Sequence, residues 1–344
     1  MDSLSQIALG AAVGVAAMGR RTSPWKAALW GAVAGTLPDL DVLIDYGGPI
    51  RNMVLHRAET HAPFWLTLFS LPFAAAVARL HGEWDRWQRW WLAMWLVLVT
   101  HPLLDAMTVY GTQLGLPFTN RPYGVGSIFI IDPLYTLPLV VGVIWALRTS
   151  DGRTGSGRTG GSGHIANLAG LALSTAYLGW GVAAQAHVEG VARQALAAQG
   201  IAADHVLVTP SAFNSLLWRV VAIDGAHYHE GFRSLLDDGP AMHFDRFERG
   251  TALAAELQGI EGVRRIQAFS RGFWAVWEGG GRVGITDLRM GQEPAYTFRF
   301  AVAERRSRTV PLAIPEQVGS RPDLRRGLAW IARRALGEPL PPPR

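Results

Sequence analysis

The chain has no cysteine. Disulfides, thiolate metal sites and thiol nucleophiles are therefore excluded, although this absence does not choose a compartment. Charge is also scarce: Asp, Glu, Lys and Arg make up 17% of the residues, against roughly 25% in soluble globular proteins. The opening Met-Asp-Ser lacks the basic start of a signal peptide, and its first apolar run leads straight into others, so no cleavage is expected. Nor is positive charge gathered on one surface. The net charge of +5 is divided between short interhelical segments and a mixed-charge C-terminal half, so no nucleic-acid partner is expected. The pairs Arg325–Arg326 and Arg333–Arg334 fit a polar helix face or contact with anionic lipid.

Apolar residues, at 49%, are what the chain does have, and they are unevenly placed. Within 344 residues, room for two domains, the stretch Gln6–Ala183 carries the long apolar runs, while the part from about His187 onward reads as an ordinary soluble domain. Six hydrophobic segments are expected: Leu4–Met18, Trp25–Leu43, Ala62–Leu80, Trp90–Tyr110, Ile128–Leu147 and Ile165–Ala184. The first is short for a crossing of about 20 residues, so it is either tilted or half of a re-entrant hairpin with the second. Trp84, Trp87, Trp90 and Trp91 beside Arg86 and Arg89 suggest an interfacial belt. The run RTSDGRTGSGRTGGSG at 148–163 reads as a flexible interhelical linker.

Alternate crossings put Arg20, Arg21, Lys26, Arg79, Arg86, Arg89, Arg148, Arg153 and Arg158 on one side, and only Arg51, Arg57 and Arg121 on the other. The richer side is expected to be cytoplasmic. The 45–60 loop, the 111–127 loop and the C-terminal domain then lie outside.

From His205 the pattern turns to strands: HVLVTP, LWRVVAI followed by Asp224-Gly225, AHYHEGFRSLLD as the second arm of a hairpin, AMHFDRF, GFWAVWEGGGRVGITDLRM and AYTFRFAVAE. An amphipathic helix is expected near Leu328–Leu336, then a proline-rich end that frays. The fold class is thus a polytopic α-helical membrane domain (1–185), with some segments broken or re-entrant. A small α+β or mainly β soluble domain (200–336) and a tail (337–344) follow.

Costly polar residues interrupt the apolar half. PDLD places Asp39 and Asp41 two apart where the second segment breaks, HRAETH places His56 and His61 five apart, and HPLLD places His101 and Asp105 four apart, on one helix face. Such groups in a membrane must be paired, hydrated or bound to a cation. All three motifs fall on the same predicted outer face, so a shared metal site is expected, with imidazole and carboxylate ligands suited to zinc, manganese, iron or magnesium. Asp39 or Asp105 could ligate, orient a histidine or accept a proton; the sequence does not divide these roles. Asp132, before Pro133, fits a helix cap or a further ligand. His227, His229 and His243 fit surface positions or a second cluster.

The segments MDSLSQIALGAAVG, WGAVAGTLPDLDVLI, HRAETHAPFW, THPLLDAMTVYGTQLGLPF and IFIIDPLYTLPL resemble those of bacterial inner-membrane proteins of the YdjM/YbcI type, and the second half resembles an extended branch with a C-terminal domain. The resemblance implies a membrane-bound metal-dependent hydrolase in which His56, His61, His101 and Asp105 fall on the metal positions. Asp39 and Asp41 fall on the PDxD segment, and Arg57 and Thr60 on the positions flanking the histidines. Ala62 stands where many relatives have serine, and Glu59 fills a position with no fixed residue.

The resulting expectation is water activation by one or two divalent cations, zinc first, with manganese or magnesium as alternatives. Asp39, Asp41, His56, His61, His101 and Asp105 are the metal candidates, and Asp39, Arg57 and Asp105 the catalytic ones. The substrate would be a lipid-linked ester, above all a phosphoester, polarised by the cation and by Arg57 or Arg121; membrane lipids are the expected surroundings. An ion or solute transporter and a metal-stabilised envelope structural protein are the rivals.

Overall fold

The structure is a computed structural model describing residues 1–149, 161–319 and 323–344. The chain divides into two units, Met1–Leu43 with His56–Gly181, and Ile44–Leu55 with Val182–Arg344.

The first unit begins with α1 (Ser3–Met18), started by Asp2, whose carboxylate accepts the N–H groups of Leu4 and Ser5 at 3.1 Å. Helix α2 (Pro24–Thr36) has proline in its first turn. Both helices carry small residues four apart, Gly10 and Gly14 on α1 and Gly31 and Gly35 on α2. A Cβ at Gly10 would stand 2.2 Å from the Gly31 carbonyl oxygen, and one at Gly31 equally close to that of Gly10. Only glycine lets these two backbones meet, as in small-residue helix contacts within membranes. After a 3-10 turn at Pro38–Leu43, α3 (Pro49–Leu55) belongs to the second unit.

The chain returns to the first unit for α4 (Pro63–Leu80), α5 (Trp87–Ala106) and α6 (Pro133–Arg148). Between α4 and α5, Glu83 accepts from Lys26 Nζ at 2.7 Å, Thr22 Oγ1 at 2.8 Å and Trp90 Nε1 at 3.0 Å. Burial pushes its carboxyl up, but these donors prevail and hold it below the usual range. The tryptophan cluster therefore divides: Trp84 is exposed and open to an interface, whereas Trp90 is fully buried and serves the core.

Among the described residues, α4 and α7 (Gly161–Ala198) are long and apolar enough to cross a membrane, and α1 and α6 are apolar but shorter. Their outward side chains agree: Leu68, Phe69 and Leu71 on α4, and Leu137, Val141 and Trp145 on α6, are exposed, an apolar surface that water does not favour. The apolar run predicts an end near Ala184, but α7 runs 38 residues, about 57 Å, because no proline stops it. Gly161–Gly163, read as linker, begin this helix, and residues 150–160 of that linker lie outside the described residues.

Asp132 caps α6, accepting from Leu134 N at 3.0 Å and Tyr177 Oη at 2.9 Å. Asp132→Ala should cost about 1–2 kcal/mol, read as a lower melting temperature with unchanged metal content, and Asp132→Asn less, since it keeps an acceptor.

In the second unit, β1 (His205–Pro210), β2 (Leu217–Asp224), β3 (His227–Ser234) and β4 (Phe244–Glu248) form an antiparallel sheet in that order. Helices α8 (Thr251–Glu256) and α9 (Glu261–Phe269) follow. Next come β5 (Trp274–Gly279), β6 (Arg282–Asp287), the short pair β7 (Gly291–Gln292) and β8 (Ala295–Tyr296), β9 (Arg299–Arg305) and β10 (Thr309–Gln317). The second sheet is ordered β10-β9-β6-β5. Gly280 and Gly281, with φ of +59° and +71°, turn β5 into β6 as a two-residue hairpin requires.

Helix α10 (Leu324–Ala335) is capped by Asp323 and buries Trp330 against Phe232. The tail does not fray: Leu340 packs with this cluster, and Arg344 pairs with Glu230 and Asp245.

Candidate metal centre

Three local structures of the first unit supply the site. The 3-10 turn after α2 presents Asp39 and Asp41, a second short 3-10 turn at Glu59–His61 presents His61, and α5 presents His101 and Asp105 one turn apart. Between the turns, Arg57 adopts φ +66°, a left-handed conformation rare for a residue with a side chain. It lets the chain reverse between His56 and His61. Next to Pro102, inside α5, the His101 side chain donates to another helix: its Nδ1 lies 2.7 Å from the Gly35 carbonyl oxygen.

Donor chemistry fixes where the imidazole protons sit. A carbonyl oxygen only accepts, so His101 carries a proton on Nδ1, and in the neutral ring Nε2 holds a lone pair. The Thr60 hydroxyl gives its single proton to Asp41 Oδ2 at 2.8 Å and must therefore accept from His61 Nδ1 at 2.9 Å. His61 Nε2 is then also a lone pair. These two nitrogens face one another at 3.1 Å, with no proton left between them in the neutral rings.

Carboxylates close the cluster. Asp39 Oδ1 lies 3.3 Å from His61 Nε2 and 3.5 Å from His101 Nε2; Asp105 Oδ2 lies 3.3 Å and 3.4 Å from the same two atoms. Four electron-rich atoms at such spacing repel one another unless a cation lies among them. A tetrahedral zinc ion with bonds of about 2.0–2.1 Å has ligand–ligand edges of about 3.3–3.4 Å; five of the six separations among the four atoms, at 3.1–3.5 Å, are near that size, and the whole set lies within 4.8 Å. Asp105 Oδ2 is buried without a hydrogen-bond donor, as a metal ligand would be. His61, His101 and Asp105 are buried; the side chain of Asp39 keeps 20% of its exposure and marks the side from which the cluster is reached.

The other candidates stand beside this set. Asp41 accepts from His56 Nδ1 at 2.7 Å, from the Arg57 backbone N–H at 3.0 Å and from Thr60, so it holds the two-histidine segment rather than joining the four converging atoms. His56, partly exposed, meets the rings of His61 and Tyr110 edge-on. Arg57 is buried over Tyr110, with Nε 3.4 Å from Asp105 Oδ2. Glu59 is exposed, and Arg121 stands over Tyr123.

His227, His229 and His243 do not converge: His227 pairs with Glu248, His229 lies 3.7 Å from Asp224 and His243 pairs with Asp245. Among the described residues, Asp39, His61, His101 and Asp105 are the set whose donor atoms gather within 4.8 Å. Two groups on Asp105 Oδ1 escaped the sequence reading: the Met1 amine, and Gln6 Nε2 at 3.1 Å. A lone amide in the run QIALGAA was the available signal for Gln6.

The profile of a family described as YdjM inner membrane protein matches residues 1–188, which hold the whole cluster. A curated relative, Uncharacterized protein YfhP of Bacillus subtilis (strain 168), is 26% identical over 161 residues, covering 45% of this chain and 49% of that protein. The chain thus spans about half the length of this relative. No solved structure matches the chain.

Proposed function

Because the chain belongs to the YdjM inner-membrane protein family, we propose that it is a metal-dependent hydrolase of the inner membrane acting on an ester, above all a phosphoester, of a lipid-linked compound. The observation that carries the reading is the convergence of Asp39, His61, His101 and Asp105, whose four donor atoms lie within 4.8 Å of one another. When bound there, a divalent cation, zinc first and manganese or magnesium next, supplies Lewis acidity and makes water nucleophilic near neutral pH.

The chain's own groups do the rest. The Asp41–Thr60 pair and the Gly35 carbonyl lock His61 and His101 with Nε2 inward. Asp39, at the accessible side, is placed to take a proton from an incoming water. The Arg57 guanidinium, held by Tyr110 and Thr108, sets positive charge beside Asp105, where an ester oxygen gains negative charge. The membrane setting motivates the lipid substrate, whose tail can stay in the bilayer while its head group reaches the site. In this reading six segments cross or re-enter the membrane, and the basic loops lie in the cytoplasm. The site and the C-terminal domain then face outward, the domain marking an extended branch of the family.

One observation favours a second reading. Four protein donors suffice to close a tetrahedral ion, and closed sites are structural. The test is head-group release from lipid phosphoesters by the purified full chain after chelation and after zinc is restored. Turnover that stops on chelation and returns with zinc is expected. Turnover indifferent to chelation sinks the proposal, and one bound ion with no turnover on any ester, but a lower melting temperature when stripped, selects the structural role.

A further inference from the structure

The second unit contains a polar pocket that the centre above does not use. On the inner strands, Glu230 is buried and ion-paired with Arg219 at 2.6 Å, and the Glu293 backbone N–H lies 3.3 Å from both its oxygens. Nearby stand Asp245 and the ring of Phe247 on β4. Into this setting the tail inserts Arg344. Its Nη1 donates to Glu230 Oε1 at 2.5 Å and to the Glu293 carbonyl at 3.0 Å, its Nη2 donates to Asp245 Oδ2 at 2.5 Å, and its guanidinium carbon lies 4.9 Å from the Phe247 ring centre. Two carboxylates, a carbonyl and an aromatic face together make a receptor for a planar guanidinium, which needs several acceptors in a fixed fork.

Two features separate this pocket from a permanent clip. Arg219 pairs with Glu230 through Oε2 and Arg344 through Oε1, so withdrawing the tail would leave the buried carboxylate with a cation beside it. Beside the seated Arg344, an open groove of about 410 Å³ remains, lined by Asp245, Arg246, Phe247, Glu293 and Pro294. Arg246 does not compete for the acceptors, since its guanidinium turns to His227 at 2.6 Å. The occupant's backbone is restricted as well: Glu338–Arg344 contains four prolines, which lowers the entropy lost on docking.

We infer that the second unit carries a peptide-binding groove for an arginine in a proline-rich segment of a partner protein, and that its own tail fills this groove in cis. The tail is then a built-in competitor, present at high effective concentration, that the partner must displace.

The test uses the full chain, a version ending at Gly337, and a labelled peptide of sequence EPLPPPR, with binding followed by fluorescence anisotropy. The shortened chain should bind saturably, and the intact chain should bind more than about ten-fold more weakly. Asp245→Asn in the shortened chain, or citrulline in place of the peptide's arginine, should weaken binding about thirty-fold or more. If the shortened chain does not fold, Arg344→Ala in the full chain empties the pocket while leaving Leu340 seated. It should then bind the peptide more tightly than the intact chain does. Equal affinity for the citrulline peptide, or no binding by a folded variant, overturns the inference. So does a doubling of the intact chain's mass that the shortened chain lacks, which would assign the groove to the tail of a second copy.

Discussion

His101→Ala should empty the metal centre, taking bound metal from about one ion per chain to below about one tenth. Two losses combine. The ring supplies one of four donor atoms, and its Nδ1 contact to the Gly35 carbonyl ties α5 to the end of α2. The remaining donors, Asp39, His61 and Asp105, keep two negative charges and only one imidazole. His56→Ala is the control: this ring lies outside the four converging atoms and should leave the metal in place. Thr60→Val falls between them. It removes the hydroxyl that fixes the His61 tautomer, and should weaken metal affinity about ten- to a hundred-fold without removing a ligand. Metal analysis of the three purified variants decides the matter. Unchanged metal in His101→Ala, or equal loss in His56→Ala, would contradict the four-donor assignment.

That ordering could not be read from the sequence, and the reason is geometric. Asp39 and Asp41, two apart, would share a face in a strand. They lie instead in a 3-10 turn, where three residues complete a circle and positions two apart diverge. One carboxylate therefore meets the imidazole nitrogens and the other grips His56 and Thr60. His101 and Asp105 were legible as a pair because four residues is one helical turn, and α5 holds them so. The Gly35 carbonyl has no signature, since a backbone acceptor looks the same at every residue.

The same contrast runs through the fold. β1, β2 and the Gly280-Gly281 hairpin carry local signals and could be placed from them. Strand β10 did not announce itself, because Pro311 and Pro315 argue against a strand; it lies at the sheet edge, where prolines are tolerated, with an irregular register. Helix α3 has too few residues to show a period. The assignment of 44–55 to the second unit depends on tertiary packing that no local pattern encodes.

Gly31→Leu should be the most damaging change that touches no metal donor. Its Cβ would fall 2.2 Å from the Gly10 carbonyl oxygen and 3.1 Å from the Ala11 Cα. These are backbone atoms, which cannot rotate away as a side chain tip can, so α1 and α2 must part. The expected cost is about 3 kcal/mol or more, seen as a lower melting temperature. Gly179→Leu, on α7 where an added Cβ meets nothing within 4 Å, supplies the comparison and should change stability by about 0.5 kcal/mol or less. The consequence extends to chemistry. Gly35, one turn beyond Gly31, anchors His101, and Gln6, at the start of the same contact, holds Asp105. Forcing the helices apart therefore moves both partners of the α5 pair, and metal affinity should fall with all four donor residues intact. A Gly31→Leu protein that melts lower yet binds metal as tightly as the unaltered chain would show that the helix contact supports the fold without aligning the centre.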